Sequence, residues 1–380
     1  MTARILEVPA TAESRIEKDG IEIREAVASD NEALLELTRL TPMEGTIALR
    51  IDRDPDFFAL PRARGEAVVF VATYGERVVG CMSAAIHAAY IGGVLEKIAH
   101  ATDLKVHPEF NGRRLGVRLI RQTEAYLRGR GVDLTFSLVA DGNQRVMRLS
   151  HGRHGTPVPV MLGRFFVDQL IASPFRVKSK RYRVEEAGPR DLPEIAEMLD
   201  RNSRERSFAP PVSVADLEGA TAGAVPARFR KMLVVRESGR VIATLTIEDT
   251  QNLRQNVPIG LPWSIHLALA VLRLLTLPVP GLRIPRLGEP LAILYVRWMA
   301  CAEGHEPALR VLLSEARVEA FHRRFIFVSV GLHERDPLRS AVAGLPRLTF
   351  TSLAMATSLI QPDRVQGLAD RIPFEDFALV

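Results

Sequence analysis

Ile21 and Ile23 alternate with charged neighbours, and Leu34, Leu35 and Leu37 follow at helical spacing. The first pattern predicts a short strand and the second an amphipathic helix that starts near Ser29 or Asp30, either of which can cap it. Ala67–Tyr74 is an apolar strand, Gly75-Glu76 a hairpin turn, and Arg77–Ala85 the return strand. Val117–Leu127 has the apolar stripe of a helix closed by Gly129 and Gly131, and Leu134–Ala140 is the next strand. Asp141-Gly142-Asn143 then opens a further helix carrying Val146, Met147 and Leu149. Strands and helices in this alternation predict an α/β fold.

The pattern returns later in the chain. Tyr182-Arg-Val-Glu-Glu-Ala echoes Ile21-Glu-Ile-Arg-Glu-Ala, and Leu233-Val-Val-Arg-Glu-Ser-Gly-Arg-Val echoes Val71-Ala-Thr-Tyr-Gly-Glu-Arg-Val. Arg310–Phe321 followed by Phe325–Val330 repeats the helix and strand that close the first set. Such similarity is what duplication of one fold unit leaves behind. With 380 residues, more than one core usually holds, the expectation is two domains in tandem, over 20–172 and 181–360.

Within the first set of signals, Leu104–Leu119 reads as a strand, a turn at Pro108, a loop bearing Gly112 and Gly116, and a helix. Backbone N–H groups at such a loop converge on one point, backed by the positive end of the helix dipole, and hold phosphate oxygens without a particular side chain. Arg113, Arg114, Arg118 and Arg121 add positive charge there. No Gly-x4-Gly-Lys-Ser/Thr is present, so the P-loop reading fails at its lysine. No Gly-x-Gly-x-x-Gly follows the strand, which removes the dinucleotide fingerprint. The plain alternative is an ordinary strand–turn–helix with two turn glycines.

Val106-x-Pro108 followed by Asn111-Gly112-Arg113-Arg114-Leu115-Gly116-Val117 resembles the acyl-CoA loop of the GCN5-related N-acetyltransferase (GNAT) superfamily, and the order of elements over 20–170 resembles that of the whole GNAT fold. Asn111 is shorter than the Arg or Gln usual in the family, and Arg114 stands at its first glycine. The resemblance implies two GNAT-like domains, each a mixed twisted sheet flanked by helices. It implies acetyl-CoA as acyl donor, bound through Leu104, Val106, Asn111, Gly112, Arg113, Arg114, Leu115, Gly116, Val117 and Asn143. The second copy has Ala302-Glu-Gly-His-Glu-Pro-Ala-Leu-Arg in place of the loop. One glycine, a proline without an N–H and two glutamates where a pyrophosphate would lie mark it as degenerate.

GNAT enzymes transfer the acyl group by direct attack of an amine on the thioester, which requires the ammonium to lose a proton. The resemblance places such a base four or six residues before the motif valine, at Thr102 or His100. Strand alternation puts both on the face of Val106 unless a bulge shifts the phase. His100 titrates in the useful range and is the first candidate, against the plain reading of a polar residue at a strand entrance; Asp103 is the reserve. The family's acid tyrosine is replaced by Ser150, so Ser150, water, His151 or His154 would protonate the thiolate. His151 and His154 lack nearby acidic or Cys partners to complete a metal set, and no metal is expected.

Composition narrows the remainder. The pI near 9.4 reflects a net charge of only +5, and without an aromatic-interleaved basic stretch it does not indicate nucleic acid. Cys81 and Cys301 lie in apolar contexts and read as buried free thiols. No secretory pattern opens the chain, so a cytoplasmic location is the default. The apolar run within 258–280 is interrupted by His266 and Arg273 and is short of the ~20 residues of a spanning helix. Packing between the domains or against a second protomer in a homodimer is the favoured reading; lining an acyl tunnel or resting on a membrane surface are the alternatives. The expected activity is an N-acetyltransferase (an acyltransferase of class EC 2.3.1.-) acting on a small-molecule or peptide amine, with Thr41–Arg64 shaping the acceptor pocket. The rival readings are a non-catalytic acyl-CoA-binding regulator and a long-chain N-acyltransferase.

Overall fold

The computed structural model describes residues 15–16, 20–43, 48–143, 156–219, 227–260, 263 and 286–380. Fifteen strands are described: β1 (Arg15–Ile16), β2 (Ile21–Glu25), β3 (Ala48–Asp52), β4 (Glu66–Tyr74), β5 (Arg77–Ile91), β6 (Val94–Val106), β7 (Leu134–Ala140), β8 (Val160–Ile171), β9 (Val184–Glu186), β10 (Phe229–Glu237), β11 (Arg240–Asp249), β12 (Gln255–Gly260), β13 (Ile293–Cys301), β14 (Phe327–His333) and β15 (Arg347–Ser358). The described helices are α1 (Asn31–Leu40), α2 (Ala59–Arg64), α3 (Leu115–Gly129), α4 (Leu192–Arg204), α5 (Val214–Glu218) and α6 (Glu306–His322).

Thirteen strands form one sheet in the order β1-β2-β4-β5-β6-β7-β15-β8-β14-β13-β11-β10-β9. Apart from β1, the order is palindromic about the β15–β8 pair, with β2, β4, β5, β6 and β7 matched by β9, β10, β11, β13 and β14. The expected duplication is therefore visible in hydrogen bonding. The halves are not two separate sheets, however. β8, last strand of the first half, pairs with β14, while β15, last strand of the second, pairs with β7. Each half thus closes the sheet of the other.

Helices cover both faces in each half. Leu115, Leu119 and Leu127 of α3 pack on Phe70, Ala84 and Ala99. On the opposite face Leu34, Leu35 and Leu37 of α1 pack on Val69, Val71 and Cys81. In the second half α6 buries Leu309, Leu312 and Leu313 against Leu245, Leu294 and Val328, and α4 buries Ile195 and Leu199 against Val234 and Val241. Gly80 lets β5 approach α3: a Cβ there would lie 3.1 Å from the Leu119 side chain and from the Lys105 carbonyl.

A second ladder ties the halves together. β3, from the expected acceptor segment, pairs antiparallel with β12, placing Asp52 opposite Gln255. β12 includes Pro258–Gly260, the start of the apolar insert. Trp263 is 79% exposed, and the rest of that segment lies outside the described residues. Among the described residues no helix is long and apolar enough to cross a membrane. Cys81 is buried, Cys301 is half-buried, and both are free thiols.

Candidate acyl-transfer site between the halves

β6 runs parallel to β7 only over Ile98↔Leu134, Ala99↔Thr135 and His100↔Phe136, while it stays paired with β5 as far as Val106↔Gly80. Beyond His100 the two central strands part, so the β7-facing edge of β6 has no ladder partner there. Asp103 forms a bulge at the mouth of the opening, with φ +56° and a register shift against β5. β13 and β14 part in the same way after Tyr295↔Ser329, with Trp298 at φ +50°.

The bulge corrects the expected face of the strand. The extra residue reverses the side-chain phase, so Leu104 and Val106 join Ala99 and Ala101 on the α3 side. His100 faces the other way. Alternation alone had placed His100 and Val106 together.

After β6, Pro108–Phe110 makes a 3-10 turn and α3 begins at Leu115. Phe110 is buried, its ring 5.5 Å from that of Tyr74, and the Arg113 guanidinium lies 4.8 Å over it. Asn111, Gly112, Arg113 and Arg114 are exposed, and Gly112 has φ +84°. Arg114, at the family's glycine position, adopts φ +56°, ψ +19°. The backbone of a glycine is kept at a cost of about 1–2 kcal/mol for the non-glycine side chain. The first helical hydrogen bond reaches Arg114 O from Arg118 N at 3.2 Å, leaving the amides of Leu115, Gly116 and Val117 as the first-turn donors. Asn143, half-buried, follows β7 and donates its backbone N–H to Ala140 O. Ser150, His151 and His154 lie outside the described residues.

His100 is buried, with its ring edge-on to Phe136 at 5.4 Å. Arg64 Nη1 donates to His100 Nδ1 at 2.9 Å. A guanidinium can only donate, so Nδ1 is the acceptor and the ring proton resides on Nε2. Nε2 lies 3.3 Å from Glu375 Oε2, out of line for a hydrogen bond. Burial and the nearby Arg64 charge hold the imidazole well below its usual pKa. It is a neutral ring with no spare lone pair.

Glu375 was not visible as a site residue in sequence. Its Oε1 accepts from Arg64 Nη1 at 2.8 Å, and its buried Oε2 has no hydrogen-bond partner. Burial pushes its carboxyl up to about 7. Arg64 also donates to Leu379 O at 2.7 Å, fixing the C-terminal segment against α2. Arg64, His100 and Glu375 line a cavity of about 310 Å³ between the halves. Val296–Met299 of β13 and Val330–His333 of β14 also line it, together with Arg206, held on Asp336 at 3.0 Å. The one hint in sequence was Glu375-Asp376 standing inside the otherwise apolar run Pro373–Leu379.

Asp103 is committed elsewhere. Its Oδ1 accepts from Arg53 Nη2 at 2.6 Å, its Oδ2 accepts from the Thr102 hydroxyl at 3.2 Å, and its carbonyl accepts from the Cys81 thiol. Although burial opposes ionisation, Arg53 and Lys105 hold the carboxyl below its usual range. Burial pushes the Cys81 thiol up to about 12. Among the described residues no cluster of three or more His, Cys, Asp or Glu is placed to hold a metal.

The model of the acetyltransferase (GNAT) family matches residues 32–155. No curated protein matches the chain in sequence. Among solved structures, Saccharomyces cerevisiae N-myristoyltransferase with bound myristoyl-CoA superposes with a TM-score of 0.62, at 10% identity, over 93% of this chain and 87% of that one. A probable N-acyltransferase from Enterococcus faecalis V583 superposes at 0.52, with 8% identity, over 90% and 74%. A GCN5-related N-acetyltransferase from Anabaena variabilis ATCC 29413 does so at 0.50, with 12% identity, over 89% and 73%. At these identities the likeness is one of fold.

Proposed function

We propose, from the premise that residues 32–155 form an acetyltransferase (GNAT) family domain within a fold of two tandem GNAT-like units, that the protein moves an acetyl or other small acyl group from acyl-CoA to an amine. The observation that carries this is the parting of β6 from β7 after His100, directly ahead of the glycine loop and the N-terminus of α3.

The first-turn amides of Leu115, Gly116 and Val117, with the exposed loop Asn111–Arg114, suit a pyrophosphate. The edge of β6 at Leu104 and Val106 offers main-chain groups to the pantetheine, with Asn143 across the opening. A backbone N–H at the mouth of the opening would polarise the thioester oxygen. The acceptor would approach from the cavity, on the face of β6 opposite α3. Glu375 is the group there fitted to take its proton: one oxygen is unspent and the pKa is near working pH. Arg64 and His100 act through it as positioning residues, Arg64 by its ion pair and His100 by accepting from Arg64 at Nδ1, which holds the guanidinium beside Glu375. Asp103, saturated by its partners, holds the bulge. Ser150 or solvent would return a proton to the thiolate, and a CoA thiol needs little help to leave.

A long-chain donor is the second reading, favoured by the fold likeness to an N-myristoyltransferase that binds myristoyl-CoA. Thiol release from acyl-CoA of two to fourteen carbons, measured against an amine panel, tests both. The proposal expects amine-dependent release that is fastest with acetyl-CoA. Release that rises with chain length would establish the second reading. Binding of every donor without release would make the protein an acyl-CoA-binding regulator.

A further inference from the structure

Two arginines stand side by side next to the β6 bulge, and the described residues do not use up their donors. Arg53 directly follows Asp52 of β3 and Arg254 directly precedes Gln255 of β12, so the two flank the end of that antiparallel ladder, close enough for the Arg254 charge to act on Arg53. Cross-strand neighbours share a face, and like charges directly opposite one another repel. Both are buried, Arg53 at 5% exposure and Arg254 at 7%.

Arg53 spends Nη2 on Asp103, while its Nε and Nη1 have no partner. Arg254 spends Nη2 on Asn256 Oδ1 at 2.7 Å, its guanidinium lies over the Tyr295 ring, and its Nε has no partner. Lys105, half-buried, adds a third cation, on which the Arg53 charge acts. Against these three the cluster sets one carboxylate, Asp103. A buried group of cations with one counter-ion and three unsatisfied donor nitrogens is costly, and an anion that meets those donors removes both costs.

Resting on the acyltransferase reading, the geometry points to an anion-binding subsite at Arg53 and Arg254 that holds a carboxylate of the acceptor, so that the acceptor is a small molecule carrying both an amine and a carboxylate. The subsite lies on the face of β6 opposite α3, away from the loop suited to pyrophosphate. Arg64, beside Glu375, is close enough for its charge to act on Arg53. An amine directed to Glu375 and a carboxylate directed to Arg53 and Arg254 would therefore bracket the opening of β6.

The test is calorimetric titration with sodium acetate, paired with turnover of α-amino acids against their carboxamides, in the wild-type chain and in Arg254→Gln. Arg254 is chosen because its replacement leaves the Arg53–Asp103 pair intact. The expected result is one acetate site per chain, weakened at least about tenfold in the variant. Wild-type kcat/KM should favour amino acids over amides by about 30-fold, the range of one charge-assisted hydrogen bond, and the variant should not distinguish them. The wild-type comparison stands even where the variant fails to fold. Absence of acetate binding together with equal use of acids and amides would overturn the subsite and leave the transferase standing. Acetate binding without thiol release to any amine would uphold the subsite and remove the transferase.

Discussion

The two halves carry the same strand–loop–helix unit, yet they differ in the residues at the start of the helix. In the first, Gly112 and Arg114 take left-handed conformations, the loop is exposed, and arginines surround it. In the second, Gly304 is left-handed, but its N–H donates to Glu306 Oε1 at 3.4 Å, and Pro307 removes a first-turn donor of α6. Burial and the Glu306 charge push Cys301 up to about 12. The scaffold is retained, with parting strands and a bulge in both halves, while Glu306 and Pro307 set the second loop apart.

The largest effect is expected at Glu375, which the C-terminal segment brings to the opening in the first half. Glu375→Gln should lower kcat about 100-fold, the low end for loss of a positioned base, with acyl-CoA affinity unchanged. The wild-type rate should rise with pH through about 7 and then level, and the variant should lose that rise. Stability gives an independent reading with the opposite sign. A carboxyl raised on folding stabilises the native state at pH below its ordinary range, and that contribution is lost as pH rises through about 7. The fall in unfolding free energy between pH 5 and 8 should therefore be shallower in Glu375→Gln.

Next in size is the bulge. Asp103→Asn leaves Arg53 buried without its counter-charge and should cost about 3 kcal/mol in denaturant unfolding. Loss below 1 kcal/mol would mean that the pair is not what holds the bulge. The smallest effect belongs to the loop backbone: Arg114→Val should be about 1 kcal/mol less stable than Arg114→Gly, because a β-branched residue tolerates φ +56° worst.

What sequence reading reached, and missed, follows from the range of the interactions. The β4–β5 hairpin, α3, the glycine loop and the echoes in the second half are set by residues within a few positions of one another. The exchange of β8 and β15 is not, because a strand's pattern names its buried face and leaves its partner open. The phase of His100 against Val106 failed at a single residue, Asp103, whose bulge has no marker in a run lacking glycine. Arg64 meets Glu375 across 311 positions, and Arg53 reaches Arg254 only through the β3–β12 ladder. Arg53 and Arg64 both lie within Thr41–Arg64, the segment expected to shape the acceptor pocket.

Titration with acetyl-CoA, using Gly116→Trp as a folded control checked by thermal unfolding, bears most directly on the claim that one loop of the two receives the donor. One site per chain, abolished in Gly116→Trp, is the predicted result. Two sites, or one that survives the substitution, would contradict it.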